Sequence, residues 1–330
     1  MPTWPPRASG TQLGERVDVT DLSRELVSVI IPTHNRAHLV GRAITSVLSQ
    51  THASVEVVVV DDGSTDDTAE VLGRLTDARI KTLQLTPNQG HCRARNTGIA
   101  SANGRYVAFC DSDDEWLPTK LEEQLAVFAA DDSVAVVYTG LWVDRDERRI
   151  LHVADIEGRV FDRLLGPIGR QITTSGIVVD RALAGDQLHF DEELPCAVER
   201  ELLIRLSRTH RVGRVAKPLY VRYANHGPQI SARRCYPVAW RAILKKYELD
   251  YARLPRTAAA INFQIALTLH RSGDHRGARE ALREAARLDA GNKGYRTLGA
   301  WAAPSALTAR VGLDAYLVAG RLRRRMARAS

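Results

Sequence analysis

The sequence predicts an α/β fold: a mostly parallel central sheet flanked by helices, followed by a C-terminal helical appendage. Three observations lead there. Up to about residue 116, short apolar runs rich in branched residues alternate with segments of helical period, the order that builds a parallel sheet with right-handed crossovers. Two of the runs stop abruptly at acidic turns, Asp61-Asp62 and Asp111-Ser112-Asp113-Asp114. From about Pro255 the chain becomes rich in alanine, leucine and arginine, which are strong helix formers.

The first strand is Val27 to Ile31, and Pro32-Thr33-His34-Asn35-Arg36 turns from it into a helix. That helix carries Leu39, Ala43, Ile44, Val47 and Leu48 on one face, a stripe suited to packing on a sheet. Val55 to Val60 is apolar at nearly every position, so it reads as a central strand covered on both faces. Gly63 permits the tight turn that follows, and Ser64 or Thr65 is placed to cap a helix starting near Asp66. Ile80 to Leu85 is the third strand, after which Asn88-Gln89-Gly90 opens a helix containing Ala94-Arg95-Asn96. Tyr106 to Cys110 is the fourth strand and ends at the acidic cluster. Three carboxylates within four residues repel one another unless water solvates them or a cation neutralises them. In a parallel sheet this cluster falls on the edge where ligands bind.

Four segments together resemble the inverting family 2 glycosyltransferases of the GT-A fold, a Rossmann-like class: Val27 to Arg36, Val59-Val60-Asp61-Asp62-Gly63-Ser64, Asn88-Gln89-Gly90 with Ala94-Arg95-Asn96, and Asp111-Ser112-Asp113-Asp114 with Pro118. The resemblance covers roughly residues 26 to 230. It implies transfer of a sugar from a nucleoside diphosphate sugar, UDP- or dTDP-linked, to a hydroxyl of a glycan, a lipid-linked or a small-molecule acceptor, as in polysaccharide biosynthesis. It also implies Mg2+ or Mn2+ as cofactor.

By this resemblance Pro32, Thr33 and Asn35 neighbour the nucleobase, and Asp62 accepts a hydrogen bond from it. An Asx turn capping the next helix is the alternative for an aspartate here, and Asp61 fits that role better. Asn88 and Gly90 belong to the nucleotide-sugar site in the same way. Arg95 is placed to meet ribose or phosphate oxygens, with a solvated helix-face arginine as the alternative. Asp113 is the expected direct ligand of the cation, with Asp111 contacting ribose or the metal through water and Asp114 partly structural. Hard divalent cations take oxygen ligands, usually one or two carboxylates plus phosphate and water. The cation then stabilises the leaving diphosphate as a Lewis acid.

Inverting transfer also needs a general base for the acceptor hydroxyl. The family's aspartate for this role precedes an apolar helix ending in Arg-Leu, and counting back from Arg205 puts Glu199 at its position. Glutamate departs from the pattern by one methylene. Glu201 is expected on the helix surface. Further on, Val215 to Tyr223 reads as an edge or late strand, and His226 beyond it matches a family histidine that closes over the diphosphate. Thr173, Thr174 and Ser175 either border the acceptor pocket or are strand-end hydroxyls.

The chain divides into a flexible leader (1–25), a glycosyltransferase domain (26–235), a helical appendage with one tetratricopeptide-like hairpin (236–305) and a basic amphipathic tail (306–330). One hairpin cannot bury its own face, so it must pack on the main domain or on a partner. The 330 residues, 44% of them hydrophobic, suffice for one large core and an appendage. Cys92, Cys110, Cys196 and Cys235 show no short pairing, which suits reduced thiols in a cytoplasmic compartment. The leader lacks a signal-peptide core, and no apolar run is long enough to span a bilayer. Of the net charge of +7, much lies in the tail, where six arginines face Asp314. Such an end suits peripheral contact with anionic headgroups on the inner membrane face. No nucleic-acid module accompanies it. Two rival functions share parts of this pattern: a sugar nucleotidyltransferase, which would need a glycine-rich triphosphate loop after the first strand, and a non-catalytic nucleotide-binding scaffold.

Overall fold

The computed structural model describes residues 24–145, 148–168, 172–224, 235–295 and 297. The expectations for most of the leader, for His226 and for the basic tail lie outside these residues.

The four predicted strands form one parallel layer. They are β1 (Val27–Thr33), β2 (Val55–Asp62), β3 (Ile80–Leu85) and β4 (Tyr106–Phe109), adjacent in the order β3-β2-β1-β4. Val29 is opposite Val57 on one side and Ala108 on the other, so all these strands point their C-terminal ends the same way. The linking helices are α1 (Val40–Leu48), α2 (Thr68–Gly73) and α3 (His91–Ser101). Every residue of β1 is buried, because helices cover both faces of a central parallel strand. α3 lies so close on β1 that a Cβ at Gly98 would come within 2.5 Å of Ile30. Any larger residue there would lift the helix.

Beyond β4 the sheet becomes mixed. A short β5 (Asp114–Trp116) and α4 (Lys120–Ala130) lead to the long β6 (Val134–Arg145), which pairs with β7 (Arg148–His152). Helix α5 (Phe161–Leu164), a 3-10 turn at Thr174–Gly176, β8 (Ile177–Asp180), α6 (Arg181–Ala184), α7 (Val198–Ser207) and β9 (Arg211–Tyr223) follow. β8 runs antiparallel to both β4 and β6 and joins the two halves in the order β3-β2-β1-β4-β8-β6-β9-β5. β9 therefore lies one strand inside the edge formed by β5.

The appendage is α8 (Tyr236–Lys246), α9 (Glu248–Arg253), α10 (Pro255–Arg271) and α11 (His275–Leu288). Gly273, at φ 87°, ends α10, and the Asp274 carboxylate caps α11 by accepting from the Gly277 N–H at 2.8 Å. Ala278, Ala281, Leu282 and Ala285 are buried, as their spacing predicts. Ile261 and Ile265 of α10 join the apolar cluster that contains Ile30, Phe109 and Leu203. The hairpin thus packs on the main domain.

Two expectations are corrected. Glu201 is fully buried rather than on the surface, because Lys246 at the end of α8 and Tyr247 just beyond it close over its side of α7. It pairs with Arg205 and Lys246 and accepts from the Tyr247 hydroxyl at 2.9 Å. The cysteines are not all unpaired: Cys196 and Cys235 form a disulfide across a Cα separation of 6.0 Å, while Cys92 and Cys110 are free and buried. The fold closes this pair over 39 residues of sequence. Among the described residues, no helix is long and apolar enough to cross a membrane.

Candidate functional site

The C-terminal ends of β1, β2 and β4 meet at one sheet edge. Pro32 and Thr33 are the last buried residues of β1, and the Thr33 hydroxyl has no hydrogen-bond partner among the described residues. A buried polar atom left unmatched is costly, so this edge is ready for a polar ligand atom. Asn35, at φ 51°, braces the neighbouring turn: its Oδ1 accepts from the N–H of Thr65 at 2.8 Å and its own N–H donates to Ser64 Oγ at 2.9 Å.

Asp61 caps its own turn as expected, whereas the Asp62 carboxylate is engaged by main-chain N–H groups of another segment. Asp61 accepts from the Ser64 N–H at 3.0 Å and from its hydroxyl, an Asx turn. The predicted cap from Ser64 or Thr65 gives way to this turn and to Asp66, which accepts from the Thr68 N–H at 3.0 Å. The Asp62 carboxylate accepts from the N–H groups of Gln89 at 2.7 Å and Gly90 at 2.8 Å, and Asn88 Nδ2 donates to the Asp62 carbonyl at 2.9 Å. Gly63, at φ +70°, sits 2.8 Å from the Asn88 nitrogen measured from where a Cβ would be. Asp62, Asn88 and Gly90 are thus one unit, although they are distant in sequence.

The acidic turn after β4 is held from two sides. Arg95 is buried on α3 and donates to Asp111 Oδ1 at 2.6 Å. From the other side, Ser175 Oγ accepts from the Asp111 N–H at 3.0 Å and donates to Asp114 Oδ2 at 2.5 Å. Arg42 Nη2 donates to the Asp113 carbonyl at 2.8 Å. Burial raises the Asp113 carboxyl above its ordinary value and the Asp111 charge adds to this, against Arg36 and Arg222. Burial raises Asp114 further, with Asp111 and Asp113 adding their repulsion. Burial is the larger cause of both shifts, and the repulsion among the carboxylates adds to it.

Glu199 lies in the first turn of α7. Burial raises its carboxyl above the ordinary range, while Arg200 and Arg95 favour the charged form and Asp111 opposes it. Glu199 follows the segment 190–197 into the helix, two residues ahead of the buried Glu201. His91, also here, is driven down to about 4 by burial and by the Arg95 charge, so it is neutral at physiological pH. Its Nδ1 accepts from Arg95 Nη1 at 2.9 Å.

Asp62, Asn88, Gly90, Arg95, Asp111 and Asp113 therefore occupy or border one edge, Thr33 and Asn35 flank it, and Glu199 stands in the first turn of α7. Sequence reasoning missed Ser175 as a partner of the turn, Arg42, His91, and the extent to which Asn96 reaches other segments. A buried serine just before a strand is the one local signal for Ser175. Among the described residues, no three histidine, cysteine or carboxylate side chains surround a common point. The donors at the acidic turn are all carboxylate oxygens, of which Asp111 Oδ1 is engaged by Arg95 and Asp114 Oδ2 by Ser175. This set suits a hard divalent cation that completes its shell with phosphate and water.

Residues 28–181 match the family described as Glycosyl transferase family 2. The UDP-Glc:alpha-D-GlcNAc-diphosphoundecaprenol beta-1,3-glucosyltransferase WfgD of Escherichia coli is 34% identical over 158 residues, 48% of this chain and 61% of the relative. The chain spans 39%, 48% and 61% of three curated relatives it matches. In structure it is similar to S. aureus TarS 1-349 in complex with UDP-GlcNAc, with a TM-score of 0.67, 21% identity, and coverage of 89% of this chain and 92% of the other. It is also similar to the mannosyltransferase PcManGT from Pyrobaculum calidifontis in complex with GDP-Man and Mn2+, with a TM-score of 0.54, 20% identity, and coverage of 89% and 86%. At these identities the structural likeness concerns the fold, a curled α/β sheet flanked by helices as in the GT-A class.

Proposed function

With residues 28–181 matching the model of glycosyl transferase family 2, we propose that this chain transfers a sugar from a nucleoside diphosphate donor to an acceptor hydroxyl, in one displacement that inverts the anomeric carbon. The observation that supports the reading is the acidic turn beyond β4, held by Arg95 and Ser175, with Glu199 in the first turn of α7 as the carboxylate on the acceptor side. A donor lying between them would present its diphosphate to one side and its anomeric carbon to the other.

On the donor side, the Thr33 hydroxyl and the unit of Asp62 with Asn88 and Gly90 border the nucleobase, and Arg95 and Asp111 meet the ribose and diphosphate. Asp113 directly, and Asp111 through water, would hold Mg2+ or Mn2+, which when bound neutralises charge developing on the leaving diphosphate. Glu199 accepts the proton of the acceptor hydroxyl as that oxygen attacks. Its place at the N-terminus of α7 favours the carboxylate form, and burial raises its proton affinity, the direction a general base needs.

The named relatives support a UDP-linked donor, a cation and a lipid-diphosphate acceptor. A lipid-linked acceptor would suit the six arginines near the C-terminus, which would draw the protein to an anionic membrane surface. Flotation with anionic vesicles at low and moderate salt checks this, and no co-flotation overturns it. The reaction itself is tested by a screen of UDP-, dTDP- and GDP-sugars that follows release of nucleoside diphosphate with and without chelator. Release that the chelator abolishes and Mn2+ or Mg2+ restores is expected. Chelator-insensitive release overturns the metal assignment, and release of pyrophosphate from a free nucleoside triphosphate favours a nucleotidyltransferase.

A further inference from the structure

Arg95 and Asn96 are neighbours on α3, yet they hold different halves of the site. Arg95 grips the acidic turn through Asp111. Asn96 grips the segment that leads into α7. Its Oδ1 accepts from the Phe190 N–H at 2.7 Å, and its Nδ2 donates to the Phe190 carbonyl at 2.9 Å and to Glu192 Oε1 at 2.8 Å. The side-chain amide so pairs with the main chain of Phe190 in both directions, as one strand residue pairs with another.

A second residue of α3 reinforces that grip: Arg93 lies 3.5 Å from Glu192 Oε1. The Phe190 ring stands edge-on against Phe109, 5.0 Å between centroids, and under the Arg95 guanidinium at 5.4 Å. From this anchored stretch the chain passes the disulfide at Cys196 and the left-handed Ala197 and enters α7. Glu199 is the second residue of that helix.

We propose that Asn96 is a positioning residue for Glu199: it sets the segment 190–197 against α3, so that one helix fixes the acceptor-side carboxylate relative to the donor-side acidic turn. This rests on the reading of Glu199 as the base. Asn96 does not touch the nucleotide unit of Asp62, Asn88 and Gly90. Its loss should therefore affect the chemical step and leave donor affinity alone.

The test uses the full chain, with UDP and Mn2+ titrated calorimetrically for binding and UDP release from UDP-glucose for turnover. N96A should lower turnover by roughly ten- to a hundredfold, the scale of a misplacement near 1 Å, with UDP affinity within about twofold of wild type on that same reasoning. In hydrogen exchange, N96A should lose protection over residues 190–199 and keep it over 106–116. N96D keeps an acceptor for the Phe190 N–H but puts a carboxylate against Glu192, so its turnover should fall too and recover in part in N96D/E192Q. Wild-type turnover in N96A and N96D would overturn the proposal. So would a loss of UDP affinity that matches the loss of turnover. E199Q with undiminished turnover would instead remove the base reading beneath it, whatever the Asn96 variants do.

Discussion

Glu199 and Glu201 sit two residues apart on α7 and have opposite fates. Residues separated by two point to different sides of a helix. Burial raises the Glu199 carboxyl, with only partial relief from Arg200 and Arg95. Glu201 faces the appendage, where burial is outweighed by hydrogen bonds and charge from Arg205 and Lys246, and its carboxyl is lowered. The same contrast separates Asp113 and Asp114, both raised, from Asp191 and Asp250, both lowered by cationic partners. Carboxylates with cationic partners are lowered here, and those raised by burial include the ones proposed to meet a cation and a reacting hydroxyl.

Substitutions can break this contrast. E199Q should lower turnover on the order of a hundred- to ten-thousandfold, the usual worth of a general base, with UDP affinity preserved; a small change in turnover would put Glu199 on the structural side. E201Q should do the reverse. Leaving the charges of Arg205 and Lys246 without their buried partner should cost about 3 kcal/mol of stability, read from a denaturant midpoint, with UDP affinity unchanged. D113N should abolish the Mn2+ dependence of UDP binding while the melting temperature holds or rises, because a repelled carboxylate is removed; a large drop in melting temperature would show Asp113 to be structural.

Lowering the pH sharpens the comparison with a smaller effect. Glu199 acts deprotonated, and its raised carboxyl is among the first to protonate as pH falls, so the acid limb of turnover should lie above the ordinary glutamate range. Glu201 has a depressed carboxyl. Its contribution to stability is present above the unfolded-state value and lost only as pH falls through the lower folded value. Activity should therefore fade in a pH interval where the fold persists. Coincident loss of turnover and of near-ultraviolet circular dichroism would contradict this.

What could be read directly from the residues was local. β1 to β4, the helices between them and the hairpin of α10 and α11 follow from periodicity and from turn residues such as Gly63 and Gly273. The division between Asp61 and Asp62 was half legible. The Asx turn of Asp61 reaches only three residues, to Ser64, whereas Asp62 binds N–H groups 27 and 28 residues away. Ser175 and Asn96 were illegible for the same reason, since their partners are 64 and 94 residues distant. The burial of Glu201 depends on α8 folding back over α7, which no pattern within α7 reveals. The mixed half of the sheet likewise depends on β8 slotting between β4 and β6, a pairing of strands far apart in the chain.

The bond between Cys196 and Cys235 has a consequence for connectivity. It closes a covalent ring through 39 residues of sequence, and that ring contains α7, all of β9 and position 226. A single backbone cut anywhere inside it leaves one molecule with two free ends. On a non-reducing gel such a nicked chain would migrate as a single species, and on a reducing gel as two. The proteins from oxidising and reducing preparations could be told apart by this alone, before any substrate is known.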